Sequence, residues 1–180
     1  MPANLKTAKA IAFLPPFLSA ALIAADQASK AWIVANVPDN SIYSRHFGDF
    51  LWIVHTRNLG IAFSIGDSIP AILRVVLFIA VPICFLIAAA VYGCRSKALT
   101  LFQRFAIAFI VGGGLGNQVD RIFRPEGVVD FVSFSMFGLL GFDRFPTFNV
   151  ADSSITIGAI ALLISGFFME NKEPLSDKRS

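Results

Sequence analysis

The sequence predicts an all-α membrane protein of four transmembrane helices with a small β-containing extracytoplasmic insertion. Three observations carry that expectation. Hydrophobic residues make up 56% of the 180 and charged residues 15%, and mean hydropathy is positive, which is more apolar than a soluble domain of this size. Four apolar runs, at about 10–34, 69–92, 99–116 and 150–169, are long enough to cross a bilayer as helices. Between the first two runs, residues 36–66 turn mixed and hold the β-branched and aromatic stretch Phe50-Leu51-Trp52-Ile53-Val54.

One membrane domain over 1–180 is expected, because the chain is too short for a large soluble module as well. The net charge of +3 comes from scattered basic residues and leaves no footprint for a nucleic acid. Cys84 and Cys94 lack metal-ligand or redox spacing. Cys84 is expected as a small core residue and Cys94 as an unmodified surface thiol. No internal repeat or low-complexity segment is visible.

The first run follows Lys6 and Lys9 and resembles a secretory signal, but its helical pattern continues through Asp26-Gln27-Ala28-Ser29-Lys30 to Val34 and further spans follow. It is expected as an uncleaved first helix, entered or kinked at Pro15-Pro16. In 36–66 the turn formers Pro38, Asn40 and Gly48 bracket strand-like sequence, arguing for a strand-bearing insertion at the membrane surface. The second run, Ile69 to Tyr92, gives a helix of roughly 36 Å for a hydrocarbon core of about 30 Å. Arg74 can snorkel from it and Pro82 should bend it. A turn at Gly93 to Ser96 leads to the third run, whose end, Gly112-Gly113-Gly114-Leu115-Gly116, lets a neighbouring helix approach closely. A polar loop with Arg121, Arg124, Pro125 and Glu126 precedes the fourth run, which starts at Asn149.

Lys6, Lys9, Arg95, Lys97, Arg104, Lys172, Lys178 and Arg179 fall on one side of these spans, packed into short segments. Lys30, Arg45, Arg57, Arg74, Arg121, Arg124 and Arg144 fall on the other, spread through Asp-rich loops. The expectation is therefore a multi-pass protein of the bacterial cytoplasmic (inner) membrane with both termini cytoplasmic. Asp120, Asp130 and Asp152 then gather near the outer leaflet.

Ionisable groups at membrane depth are costly and mark functional sites by default, although each aspartate could instead cap a helix or pair with Arg121, Arg124 or Arg144. Asn149 is a good N-cap and puts Asp152 in the first turn of the fourth helix, where backbone N–H groups favour a carboxylate. Asp130 lies among Val128, Val129, Phe131 and Val132 with no adjacent cation, so its pKa should rise. One neutral and one ionised carboxyl make an acid and base pair able to activate water against a peptide carbonyl. Asp120 stands beside Arg121 and suits a structural ion pair. Asp26 and Lys30, four apart on one helix, suit another. His46 and His55 lack a metal-binding pattern and read as surface residues, and no serine sits in a nucleophile-elbow setting. Taken alone, these residues leave open a small transporter or channel with an acidic cluster, and a structural or chaperone-like membrane subunit.

Five segments in order resemble the lipoprotein signal peptidase (signal peptidase II) family, over nearly the whole chain. Asp26-Gln27-Ala28-Ser29-Lys30 is similar to its D-Q-x-x-K, and Asn58-Leu59-Gly60-Ile61-Ala62-Phe63 to its N-x-G-x-A-F. Gly116-Asn117-Gln118-Val119-Asp120-Arg121 is similar to G-N-x-x-D-R, Val129-Asp130-Phe131 to V-D-F, and Phe148-Asn149-Val150-Ala151-Asp152 to F-N-x-A-D. The resemblance implies an intramembrane aspartyl endopeptidase that removes the signal peptide of diacylglyceryl-modified prolipoproteins, cutting before the lipid-modified cysteine. It implies Asp130 and Asp152 as the catalytic pair. It further implies that Asp26, Lys30, Asn58, Gly116, Asn117, Asp120, Arg121, Asn149 and Ala151 bind substrate or support the site. No metal or other cofactor is expected. The expected partners are the diacylated prolipoprotein and membrane lipid, with the enzyme a monomer. The linker Ser133 to Arg144 is longer and richer in Phe and Gly than the family pattern, which bears on the rim of the site.

Overall fold

The computed structural model describes residues 5–59 and 70–170. Gly60 to Phe63 of the second motif, the start of the second run at Ile69 and the basic residues of the C-terminal tail lie outside the described residues. The elements are α1 (Leu5–Asn36), β1 (Ser41–His46), β2 (Leu51–Asn58), α2 (Ala71–Val75), a π turn (Val76–Ala80), α3 (Val81–Arg95), α4 (Leu101–Phe123), β3 (Val128–Phe134), a 3-10 turn (Leu139–Gly141) and α5 (Val150–Glu170).

Helix α1 runs through Pro15 and Pro16. From α2 to α3 the backbone stays helical through the π turn. Pro82 explains that turn, since it has no N–H to return to the carbonyl one turn earlier and the local hydrogen bonds widen. Residues 93–95, expected in a turn, continue α3 instead, and Arg104 donates to the carbonyls of Gly93 and Cys94 at its C-terminus. Helix α4 opens with a capping box between Thr100 and Gln103. It outruns the third apolar run by about two turns, which takes in Asp120 and brings Arg121 into the helix rather than the following loop.

Helix α4 is the centre of the bundle and packs on α1, α3 and α5. The glycines make this possible. A Cβ on Gly113 would run into the Ala151 carbonyl oxygen of α5, and one on Gly158 would lie 2.5 Å from that of Ala106. Both contacts are with backbone, so the two helices touch main chain to main chain, as small residues permit in membranes.

Among the described residues, two helices are apolar and long enough to span a bilayer by length and hydropathy alone, Ile72–Arg95 and Val150–Phe168. Four were expected. The difference lies in α1 and α4, whose inward faces carry Asp26, Lys30, Asn117, Gln118 and Asp120, all buried. Apolar residues on α3 point outward, including Phe85 and Ile87, while Leu86 faces in. Cys84, expected in a core, is exposed on this outward face.

The insertion supplies β1 and β2 as anticipated, but the sheet has a third strand. β3 comes from the segment between α4 and α5 and pairs antiparallel with β2, giving the order β1-β2-β3. A register shift between Ile53 and Thr56 sets Thr56 opposite Asp130, and Thr56 Oγ1 donates to the Asp130 carbonyl. Bulges of this kind re-aim side chains. The long linker folds back on β3 through bridges Ser135–Arg144 and Val132–Phe148, with Phe134 stacked on Phe145 at 4.7 Å. Arg144 lies 3.7 Å over the Trp52 ring and donates to Ser133. Against expectation His55 is buried, its Nδ1 2.8 Å from the Val37 carbonyl, and only His46 is at the surface. Between sheet and bundle, Ile33, Val37, Val129 and Phe131 form a small apolar core.

Candidate active site

The polar residues of α1, α4, β3 and α5 meet where the sheet joins the bundle. Local sequence builds the first part. Asn149 caps α5, its Oδ1 accepting from Asp152 N at 2.9 Å, and Asp152 Oδ2 accepts from Asn149 N at 3.1 Å. This reciprocal cap fixes the Asp152 carboxyl at the helix N-terminus, where the dipole favours its charge. The other oxygen, Oδ1, accepts from Asn117 Nδ2 of α4 at 2.8 Å.

Asn149 also joins the two carboxyls, because its Nδ2 donates to Asp130 Oδ1 at 2.7 Å. Asp130 Oδ2 accepts from Asn58 Nδ2 at 3.1 Å. Asp130 is 1% exposed. Burial pushes its pKa from the ordinary 3.8 up to about 6, with the nearby Asp152 charge adding to the rise and the Asn58 and Asn149 hydrogen bonds opposing it. The rise anticipated from its apolar neighbours is present.

Behind the pair lies a buried charge cluster. Lys30 Nζ, fully buried, is 2.8 Å from Asp26 Oδ2 and 3.0 Å from Asp120 Oδ2, and donates to Asn117 Oδ1 at 2.9 Å. Arg124, the residue just past the end of α4, pairs with Asp120 one turn back and donates to Gln27 Oε1. Two carboxylates thus face two cations, so no net charge is buried, and the hydrogen bonds fill the remaining sites. The cluster ties elements together. Asp26 Oδ1 accepts from Ala151 N of α5, and Asp120 Oδ2 accepts from Val129 N, the residue before Asp130. A Cβ on Gly116 would meet Asp26 Oδ2 at 2.8 Å, so the glycine leaves room for that carboxylate.

The expected ion pair of Asp26 with Lys30 is present, buried rather than interfacial. That of Asp120 with Arg121 is not: Asp120 takes Lys30 and Arg124, because adjacent helical residues point about 100° apart while i and i+4 share a face. The Arg121 side chain makes no hydrogen bond among the described residues and lines a cleft of about 300 Å³ together with Asn117, Gln118 and Asp152. Two supporting residues stand outside the expected site set. Arg124, one of the arginines weighed as an aspartate partner, is i, i+4 to Asp120 and pairs with it. Gln27 donates to its neighbour Asp26 and also to Asp120 and the Gly116 carbonyl, the latter two being links across some 90 residues that no local pattern announces. No group of acidic, His and Cys side chains suited to a metal ion occurs among the described residues.

Residues 18–168 match the family model described as Signal peptidase (SPase) II. The chain is 45% identical over 151 residues to the lipoprotein signal peptidase of Borrelia garinii subsp. bavariensis, covering 84% of this chain and 88% of that one. It is 39% identical over 161 residues to that of Treponema pallidum, covering 89% and 86%. Two solved bacterial membrane enzyme structures superpose with TM-scores of 0.71 and 0.73, at 29% and 30% identity, covering 91% and 92% of this chain and 94% and 93% of theirs. Fold, apolar helices and relatives together define a membrane protease of lipoprotein processing. The chain belongs to the signal peptidase II family.

Proposed function

We propose that this protein is an aspartyl endopeptidase that removes the signal peptide of diacylated prolipoproteins, cutting before the lipid-modified cysteine. The observation that carries the proposal is the asymmetry of two carboxyls around one asparagine. Asp152 is held at a helix N-terminus with donors on both oxygens, from Asn117 Nδ2 and Asn149 N. Asp130 is buried and keeps its proton up to about pH 6.

In this mechanism ionised Asp152 takes a proton from water as the water oxygen bonds to the scissile carbonyl carbon. Protonated Asp130 gives its proton to the carbonyl oxygen, leaving a gem-diol and Asp130 ionised. Asp152 then returns its proton to the amide nitrogen, Asp130 takes one back from the diol, and the C–N bond breaks. Asn149 and Asn117 hold the two carboxyls in place throughout, and the Lys30 cluster holds Asn117.

The same reading makes α1, α2 with α3, α4 and α5 four spans with both termini cytoplasmic and the site near the outer leaflet, in a monomer surrounded by membrane lipid. The polar faces of α1 and α4 are compatible with spanning because they turn towards each other and leave the lipid to apolar side chains. The experiment is incubation of the purified protein with a diacylated prolipoprotein, followed by identification of the new N-terminus. The lipid-modified cysteine is expected there. A transporter or channel would instead move ions or solute in liposomes and leave the precursor intact.

A further inference from the structure

The cleft beside Asp152 contains a polar group with nothing to bond. Gln118, 3% exposed, lies on its wall, and its Oε1 is buried without a hydrogen-bond partner. Its side chain makes no hydrogen bond among the described residues, whereas its helical neighbour Asn117 is fully committed to Lys30, Asn149 and Asp152. Leaving a buried amide unpaired is costly, and a persistent orphan of this kind calls for a partner that arrives later. One turn along the helix, on the same face, Arg121 Nε is likewise buried and unpartnered. The remaining wall is apolar, formed by Phe85 and Leu86 of α3, Ile110 of α4 and Ile155 of α5.

An unmet acceptor next to an unmet donor, in a largely apolar cleft beside Asp152, is complementary to the N–H and C=O of an extended peptide. The bilayer strengthens the case. A signal segment crosses as a helix with its backbone groups bonded internally, and cleavage requires it to unwind near the scissile bond. Each N–H freed at that depth has no water to turn to and needs an acceptor from the enzyme.

We propose that Gln118 reads the substrate backbone, its side-chain carbonyl accepting a hydrogen bond from one peptide N–H of the unwound signal segment on the N-terminal side of the cut. The inference rests on the proteolytic function proposed above and adds to it a substrate-binding residue.

The test uses synthetic diacylated lipopeptides in which single backbone amides before the cleavage site are replaced by esters, one position at a time. They are cleaved by the full-length protein and by Gln118→Met, which keeps the volume and removes the acceptor. The wild type should lose about tenfold in kcat/KM at one ester position, the scale of a single hydrogen bond. Gln118→Met should lose about tenfold on the all-amide peptide and nothing further at that same position. Other ester positions should cost both proteins alike. The inference is overturned if no ester slows the wild type, if Gln118→Met matches wild type on the all-amide peptide, or if every ester costs both proteins equally. Equal thermal midpoints show that the variant is folded, and Gln118→Leu takes its place if they differ. Failure of the wild type to cleave the all-amide peptide would refute the proteolytic function itself, an outcome distinct from these.

Discussion

Replacing Asp130 with Asn should stop cleavage and stabilise the fold at neutral pH. The magnitude follows from burial. Raising the Asp130 pKa from 3.8 to about 6 means that the ionised carboxyl costs the folded state about 3 kcal/mol above pH 6. The sign is that of a raised carboxyl: the folded state binds the proton more tightly than the unfolded chain, so stability falls as pH rises from about 4 to 6 and is then level. Asn removes the charge at nearly constant volume. It also replaces one of two accepting oxygens by an NH₂, which faces either Asn58 Nδ2 or Asn149 Nδ2 and gives back about 1–2 kcal/mol. A net gain of about 1–2 kcal/mol remains at pH 7.5, or about 2–8 °C in thermal midpoint for a chain of this size. The assay is thermal unfolding in one detergent from pH 4.5 to 8, wild type against variant. The difference in midpoint should grow with pH and level off above about 6. A difference that does not change with pH would refute the claim that Asp130 is a buried, proton-holding carboxyl.

Three further outcomes are expected. Lys30→Met leaves Asp26 and Asp120 with one cation between them and should destabilise the protein by about 3–5 kcal/mol, seen as a large drop in thermal midpoint; an unchanged midpoint would exclude the cluster as the tie between α1 and α4. Gly113→Ala sets a methyl against the Ala151 carbonyl, so α4 and α5 must separate next to Asp152; a loss of about 1–3 kcal/mol and of about a hundredfold in cleavage is expected, measured by unfolding and by turnover. Cleavage should survive EDTA, and loss on chelation restored by zinc would point to a different mechanism.

Features that depend on neighbours along one helix were legible in the sequence. The Asn149–Asp152 cap and the Asp26–Lys30 pair are both of this kind, and each is present where its spacing put it. The apolar surroundings of Asp130 likewise announced its raised pKa. Contacts made across the chain were not legible. Val128 to Val132 has the β-branched character of a strand, but β3 exists only because β2, some 70 residues earlier, offers it an edge. Asp120 was assigned to Arg121 because they are adjacent, whereas helix geometry and a lysine 90 residues away decide its partners. Cys84 failed for a reason particular to membranes. The apolar helix Ile72–Arg95 is long enough to span a bilayer and leaves most of its surface uncovered by the rest of the chain, so hydrophobic sequence does not signal a packed core.

The central claim is that Asp130 and Asp152 together activate water. It is tested most directly by following cleavage of a diacylated prolipoprotein by Asp130→Asn and by Asp152→Asn, each purified, folded and compared with wild type. Both variants should leave the precursor uncut over times in which the wild type converts it completely. Near-normal cleavage by either one would contradict the account.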